Sequence, residues 1–346
     1  MDADIALILT QDGIVTGAIY ALLGLAVVLV FTVTRVLFLP QGDLVAYAAL
    51  TLAGIQAGRT PGTVWFTLLL GCAAAAMGAV ECARRRAWRR LGTTVLSCIG
   101  GPAAVAALTV WLARGQPGMA LSVVLTLLIV VPIGPLLYRV AFQPVADSGL
   151  LKLMFIGVAV HFVLIGAGLL MFGPEGVRVA PLSDVQWTVG PLLVPGQAVA
   201  VVGCSAVLIA LLFAGFGFTL PGKMLRATAV NRTGARVVGI APARAGRMCF
   251  TLAALIGAVS GILIAPITPI FYDSGFVIGL KGFVASVLGG MVSYPLAAAG
   301  ALLIGVSEAF VAFWYSGYKD VLVFTLVIPV LMVRSLAVRG ADDEEV

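Results

Sequence analysis

Charged residues are scarce in this chain of 346 residues. Only 10% are Asp, Glu, Lys or Arg, and 61% are hydrophobic, whereas about a quarter of the residues of a soluble domain are charged. The mean hydropathy is +1.13, and a water-soluble fold could not bury that much apolar surface. The composition therefore predicts a polytopic membrane protein.

Residues that bind metals are scarce as well. The chain has one histidine and five cysteines, and the cysteines lie in or beside apolar runs without C-x-x-C spacing. This spacing supports neither a zinc site nor a disulfide framework. His161 stands alone on an apolar run, so we expect it to hydrogen bond to a neighbouring span rather than to perform chemistry. We expect no cofactor to be bound by this chain.

The apolar runs are long and continuous, unlike the alternating strands of an outer-membrane barrel, so the spans should be helices. The pattern predicts an all-α bundle of about 8 to 11 spans in a single domain, 1–346. The candidate spans are 13–34, 36–58, 63–83, 92–113, 119–138, 149–172, 196–218, 248–270, 277–294, 298–316 and 320–338. Pro40 and Gly42 interrupt the run at 36–58, and Lys281 lies in the run at 277–294. These two runs are candidates for broken or re-entrant helices.

Basic residues are concentrated on one side of this predicted arrangement. With the amino terminus outside, the outer loops hold only Arg59, Arg114, Arg178 and Lys319, and most other Lys and Arg fall inside. Cytoplasmic loops carry an excess of Lys and Arg, so we expect the amino terminus outside and the carboxyl terminus in the cytoplasm. The pI near 9.3 then reflects membrane topology, and no nucleic-acid partner is expected.

One inner segment, MLRATAVNRTGARVVGIAPARAG at 224–246, carries four arginines and no acid between two apolar runs. The residues just before it, 217–223, match G-x-x-x-x-G-K. A P-loop needs a preceding strand and a following Ser or Thr to bind Mg²⁺, whereas an apolar run precedes this motif and Met224 follows it. Any ATP must therefore be used by another polypeptide.

Three stretches of the chain resemble the permease subunit of branched-chain amino acid (Liv-type) ABC importers. The first is DGIVTGAIYALLGLAVVLVFTVTRVLFLPQGDLVAYAA at 12–49, and the second is MLRATAVNRTGARVVGI within the basic segment. The third runs from FTLAALIGAVSGILIAPITPI into GLKGFVASVLGG. The resemblance covers most of 12–58 and 139–338. It is lost over 84–118, which looks like an insertion.

The resemblance implies a translocation subunit in the bacterial cytoplasmic membrane that hydrolyses nothing itself. Two ABC ATPase subunits would use ATP and Mg²⁺, a second permease (a related chain or a copy of this one) would complete the pore, and an extracytoplasmic binding protein would deliver the solute. Membrane lipid would surround the spans. The cytoplasmic loop 219–247 would couple to the ATPases. The implied coupling residues are Arg226, Asn231, Arg232, Arg236, Gly239 and Ile240. The implied path residues are Tyr20, Gln41, Gly42, Asp43, Asp273 and Lys281.

The sequence leaves alternatives open for the solute, for the basic segment and for the class of membrane protein. The family commonly has aromatic-Ala-His-Gly-Asp where this chain reads Phe-Leu-Pro-Gln-Gly-Asp at 38–43. The solute could therefore be urea, a short amide, a sugar or a nucleoside. The basic segment could serve only to fix topology. The scattered Asp residues and the single His disfavour an intramembrane enzyme. An ion-coupled transporter would need buried carboxylates, and Glu81 and Glu308 lie near predicted span ends. For Lys281 we expect a place beside the path, paired with Asp273 or Asp43.

Overall fold

The computed structural model describes residues 3–84, 91–113, 115, 117–189, 192–291, 293–325, 328–329 and 332. Residues 85–90, which hold Arg85, Arg86, Arg89 and Arg90, lie outside the described residues, as do Arg114, Arg334 and Arg339. The helices are α1 (Ala3–Thr34), α2 (Gln41–Gln56), α3 (Thr63–Arg84), α4 (Leu91–Val95), α5 (Gly101–Ala113), α6 (Met119–Val130), α7 (Ile133–Leu137), α8 (Leu150–Phe172), α9 (Gly196–Phe218), α10 (Leu220–Val230), α11 (Arg232–Val237), α12 (Pro242–Ile264), α13 (Ser274–Leu288), α14 (Tyr294–Trp314) and α15 (Lys319–Thr325). Strands β1 (Gln186–Val189) and β2 (Leu192–Pro195) form one antiparallel hairpin before α9.

Seven helices in the described part of the chain are long and apolar enough to cross a membrane. They are Asp4–Thr34, Thr63–Arg84, Met119–Val145, Leu150–Phe172, Gly196–Phe218, Pro242–Ile264 and Tyr294–Trp314. Cys98–Ala113 and Ser274–Leu288 are shorter apolar helices. The prediction of an all-α polytopic membrane protein is confirmed.

Helix α1 forms the centre of the bundle and packs against α9, α12, α13 and α14. Its most apolar stretch is 83% buried, whereas the corresponding stretch of α9 is 11% buried. Both helices are apolar on all sides, and such a helix must be surrounded either by protein or by lipid. Helix α1 is therefore surrounded by protein, and α9 presents most of its surface to lipid or to another chain.

The neighbours of α2 and α13 reveal the directions in which these two short helices run. Helix α2 runs parallel to α12, since Gln41 packs near Gly257 and the next turn at Val45 packs near Gly261. Helix α13 runs parallel to α1, since Lys281 lies over Tyr20 and the next turn, at Ala285, packs near Gly24 in α1.

Helices α1 and α12 are themselves antiparallel. Leu29 and Val33, towards the end of α1, cluster with Ala245 and Cys249, near the start of α12. Because α2 follows the direction of α12 and α13 follows that of α1, α2 and α13 run in opposite directions. Their first turns meet inside the bundle.

At the meeting point the two backbones touch. A Cβ on Gly42 would overlap the carbonyl of Gly275, and a Cβ on Gly275 would overlap that of Gly42, so only glycine fits on either side. Residues 35–40 lead to α2 without a helix, and Val36 and Phe38 are buried there. With 16 and 15 residues, α2 and α13 extend about 22–24 Å, less than the ~30 Å of hydrocarbon. The prediction of broken helices at 36–58 and 277–294 is confirmed.

Candidate translocation path and coupling segment

Lys281 is buried in α13 and pairs with two carboxylates. Its Nζ lies 2.5 Å from Oε1 of Glu308 in α14 and 2.8 Å from Oδ1 of Asp320 in α15. The expected partners, Asp273 and Asp43, were wrong. Glu308, which was expected near a span end, lies six residues before the end of α14 and is 8% exposed. A single acid within the apolar run 298–316 was the available signal, since buried membrane carboxylates mark functional sites.

Tyr20, in the central helix α1, completes this cluster. Its hydroxyl donates a hydrogen bond to Oε2 of Glu308 at 2.9 Å, and its ring centroid lies 5.7 Å from Nζ of Lys281. A cation near an aromatic face is stabilised by the ring quadrupole. Three helices are therefore joined to α1 by one network, which we call the lysine cluster: Tyr20, Lys281, Glu308 and Asp320.

The lysine cluster lines a cavity of about 440 Å³, at the end of the bundle where α12 ends and α13 begins. Asp273 and Lys319 line the same cavity, together with aliphatic side chains of α1, α12 and α13. Both a polar face and an apolar face are therefore available to a small solute. Of the predicted path residues, the structure brings Tyr20, Asp273 and Lys281 together here.

The other three predicted path residues lie elsewhere, in the first turn of α2. Asp43 Oδ2 is 2.7 Å from Nδ1 of His161 in α8, and Gln41 donates from Nε2 to the carbonyl of Ala253 in α12 at 2.9 Å. Gly42 packs on Gly275. The expectation that His161 hydrogen bonds to a neighbouring span is confirmed. These residues do not line the cavity, so the predicted set divides into two places.

The basic segment between α9 and α12 folds into two short helices. Thr219 caps α10 by accepting a hydrogen bond from the backbone of Gly222, and Asn231 caps α11 by accepting one from the backbone of Gly234. Helix α11 ends at Val237, and Gly239, two residues later, has φ +87°. The amide of Ile240 donates to the carbonyl of Ala235 across this turn, as in a Schellman motif. Asn231, Gly239 and Ile240 therefore have local roles in shaping the segment.

Two of the predicted coupling arginines bind the loop that follows the Met119–Val145 span. Arg232 donates to the carbonyl of Ala146 at 2.8 Å. Arg236 pairs with both carboxylate oxygens of Asp147, at 2.8 and 3.0 Å. Arg226 instead donates to the carbonyl of Gly217 at the end of α9. These contacts fix α10 and α11 to the ends of two spans, which was not evident from the sequence.

The same segment exposes apolar side chains. Val230, Val237 and Val238 are 87%, 83% and 73% exposed, although the segment lies outside the apolar spans. Exposed apolar residues bordered by charged ones are typical of protein docking sites. A short helix with an exposed apolar face suits a groove on a partner.

A family model described as the permease component of the branched-chain amino acid transport system matches residues 87–331. The chain belongs to this family. The permease is 32% identical over 216 residues to the high-affinity branched-chain amino acid permease proteins LivH of Escherichia coli and Salmonella typhimurium, covering 60% of its own chain and 70% of theirs. It is 28% identical over 215 residues to BraD of Pseudomonas aeruginosa, with the same coverage. No solved structure matches the permease.

Membership in this family makes the chain a membrane transport permease rather than an enzyme. The residues that the structure describes contain no group of three or more His, Cys, Asp or Glu that could hold a metal ion. The buried acid that an ion-coupled transporter would require does exist as Glu308, but it is paired with Lys281. The match over 87–331 overlaps the region 84–118, and the status of that region as an insertion stays a prediction.

Proposed function

We propose that this permease is the translocation subunit of a bacterial importer for branched-chain amino acids, driven by separate ATPase subunits. The permeases LivH and BraD are named for branched-chain amino acid transport, and the family model carries the same description. The site of action is the bacterial cytoplasmic membrane. The amino terminus lies outside and the carboxyl terminus in the cytoplasm, as the distribution of basic residues favours.

One observation supports coupling to an ATPase. Helices α10 and α11 form a platform that is attached to two spans and exposes valines to solvent. Arg232 and Arg236 join this platform to Asp147 and the neighbouring span. A displacement of α10 and α11 by a bound partner would therefore move the ends of two spans together. The valines are free for a partner, whereas the arginine contacts brace the platform from within.

The permease would work with a second permease, either a related chain or a copy of itself, with two ABC ATPase subunits that use ATP and Mg²⁺, and with an extracytoplasmic solute-binding protein. The poorly buried helix α9 offers one surface for the second permease. The β1–β2 hairpin and the loop before it lie on the proposed outer side, where a binding protein would approach.

The test replaces the exposed valines and measures ATPase association. Val237→Glu with Val238→Glu should abolish co-purification of the ATPase subunits and solute import, because a buried unpaired charge at an interface is costly. Val185→Glu, which changes a half-exposed valine in the loop before β1, is the matched control and should retain co-purification of the ATPase subunits. Co-purification and import at the level of the unmodified permease in the double variant would contradict the coupling role.

A further inference from the structure

The cavity beside the lysine cluster has two chemically distinct faces. One face is aliphatic and contains Ile19, Ile264, Ile267, Val277 and Ile278. The lysine cluster, together with Asp273 and Lys319, forms the charged part of the lining. The volume of about 440 Å³ falls within the range of about 300–1,000 Å³ that is typical of small-molecule pockets.

The charges of the cluster do not cancel. Lys281 supplies one positive charge, and Glu308 and Asp320 supply two negative charges within ion-pair distance of it. The Glu308 side chain is buried and that of Asp320 is 45% exposed, and their negative excess attracts a cationic group. The ammonium group of a solute would find acceptors on both carboxylates.

Lys281 also keeps capacity for an anion. An ammonium group has three donors, and Lys281 directs its contacts to Glu308 and Asp320. Across the described residues no third acceptor approaches its Nζ. A carboxylate that enters with the ammonium would bind this remaining donor, and the pair would keep the charge of the site unchanged.

We infer that this cavity binds the zwitterionic head of an aliphatic amino acid, with its branched side chain on the isoleucine and valine face. This inference rests on the proposed function and specifies its substrate site. Glu308 and Asp320 bind the ammonium group, Lys281 binds the carboxylate, and Tyr20 holds Glu308 in place. Urea, sugars and nucleosides carry no such pair of charges, so they cannot form both charged contacts with the cluster.

The site also has a suitable position. It lies where α12 ends and α13 and α15 begin, which is the outer side in the proposed orientation. A solute released by an outer binding protein would meet this cavity first. The contact between Gly42 and Gly275 closes the bundle next to the start of α13.

The experiment measures binding of radiolabelled L-leucine to the full-length permease in lipid nanodiscs. Unlabelled L-leucine and L-isoleucine should compete. Isopentylamine, which lacks the carboxylate, and 4-methylpentanoate, which lacks the ammonium, should compete about tenfold or more weakly, because each can make only one of the two charged contacts. Equal competition by either analogue, or no saturable leucine binding, would overturn the inference.

Two variants locate the site. Glu308→Gln should weaken leucine binding about tenfold or more, whereas the matched control Glu175→Gln, at an exposed glutamate, should bind as the unmodified permease does. Val277→Trp keeps every charge of the cluster and fills the aliphatic face. Binding of radiolabelled leucine should therefore fall, whereas binding of radiolabelled glycine, which has no side chain to place there, should equal that of the unmodified permease. Size-exclusion chromatography checks folding. If Glu308→Gln does not fold, Val277→Trp decides alone, and unchanged leucine binding in that variant would overturn the inference.

This outcome can be separated from the proposed function. Assembled transporter that carries Val277→Trp and still imports leucine at the normal rate would remove the cavity as the substrate site, with the importer role intact. Permease that binds leucine at this cavity but never co-purifies with an ATPase would leave the site in place and refute the proposed coupling.

Discussion

The lysine cluster and the α10–α11 platform use the same chemistry in different surroundings. In each, basic side chains meet carboxylates: Lys281 meets Glu308 and Asp320, and Arg236 meets Asp147. The side chains of Lys281 and Glu308 are 5% and 11% exposed, whereas those of Arg236 and Asp147 are 51% and 70% exposed. The contribution of each ion pair to stability therefore depends on its exposure to solvent rather than on its residue types.

The physical reason is the solvent. Removing one partner of a buried pair leaves a charge that water cannot solvate, whereas an exposed charge is solvated as soon as its partner is removed. Breaking the buried pair should therefore destabilise the protein more than breaking the exposed pair.

The largest expected effect is that of Lys281→Met, which keeps the stem and removes the charge. Glu308 and Asp320 would then repel each other without a cation between them. Because Glu308 is buried, the free energy of unfolding should fall by about 3–5 kcal/mol. Denaturant titration of the purified permease in detergent measures it, with import as a second readout. Import and stability equal to those of the unmodified permease would mean that Lys281 is only an anchor at the membrane surface.

A somewhat smaller effect is expected from Gly42→Ala, which tests the contact between the broken helices. The new methyl group would overlap the carbonyl of Gly275, and overpacking of this kind costs about 1–3 kcal/mol. Gly166→Ala in α8 meets nothing within 4 Å and should be neutral or slightly stabilising, because alanine favours helix. Similar unfolding curves for the two variants would argue against the close approach of α2 and α13.

The smallest effect on stability is expected from Arg236→Ala at the platform. An exposed ion pair contributes about 0–1 kcal/mol, so the unfolding curve should hardly move. ATPase co-purification should nevertheless weaken if the pair with Asp147 orients α11, and Asp147→Asn should reproduce that loss. A large drop in stability from either substitution would remove the contrast between the two regions.

The sequence was informative about regular features. Apolar runs of spanning length gave the helices, and Pro40 and Gly42 marked a broken one, because lipid forces every backbone polar group into an internal hydrogen bond. Lys281 was recognisable as a functional candidate because a charge in such a run needs a compensating arrangement. Tyr20 and Asp273 were assigned to the same path through the family resemblance, and they do line one cavity with Lys281.

The partners of those residues could not be predicted. Glu308 and Asp320 are 27 and 39 positions after Lys281 along the chain, and no local spacing connects them to it. Asp273 and Asp43 were the expected partners, yet Asp43 in α2 pairs with His161 instead. The contacts between Arg232, Arg236 and the loop at 146–147 likewise join parts of the chain more than eighty residues apart.

Composition and the hydrophobic pattern by themselves determined that this protein is an all-α membrane protein with two candidate broken helices and a basic segment between spans. Those properties depend on whether the residues of each segment favour lipid or water, and this can be read from the segment itself. Tertiary structure alone decided which charges meet, where the cavity lies and which valines stay exposed. Ion pairs and cavities depend on the direction and register of helices distant in sequence, and these are fixed only when close contacts such as Gly42 on Gly275 pack the bundle.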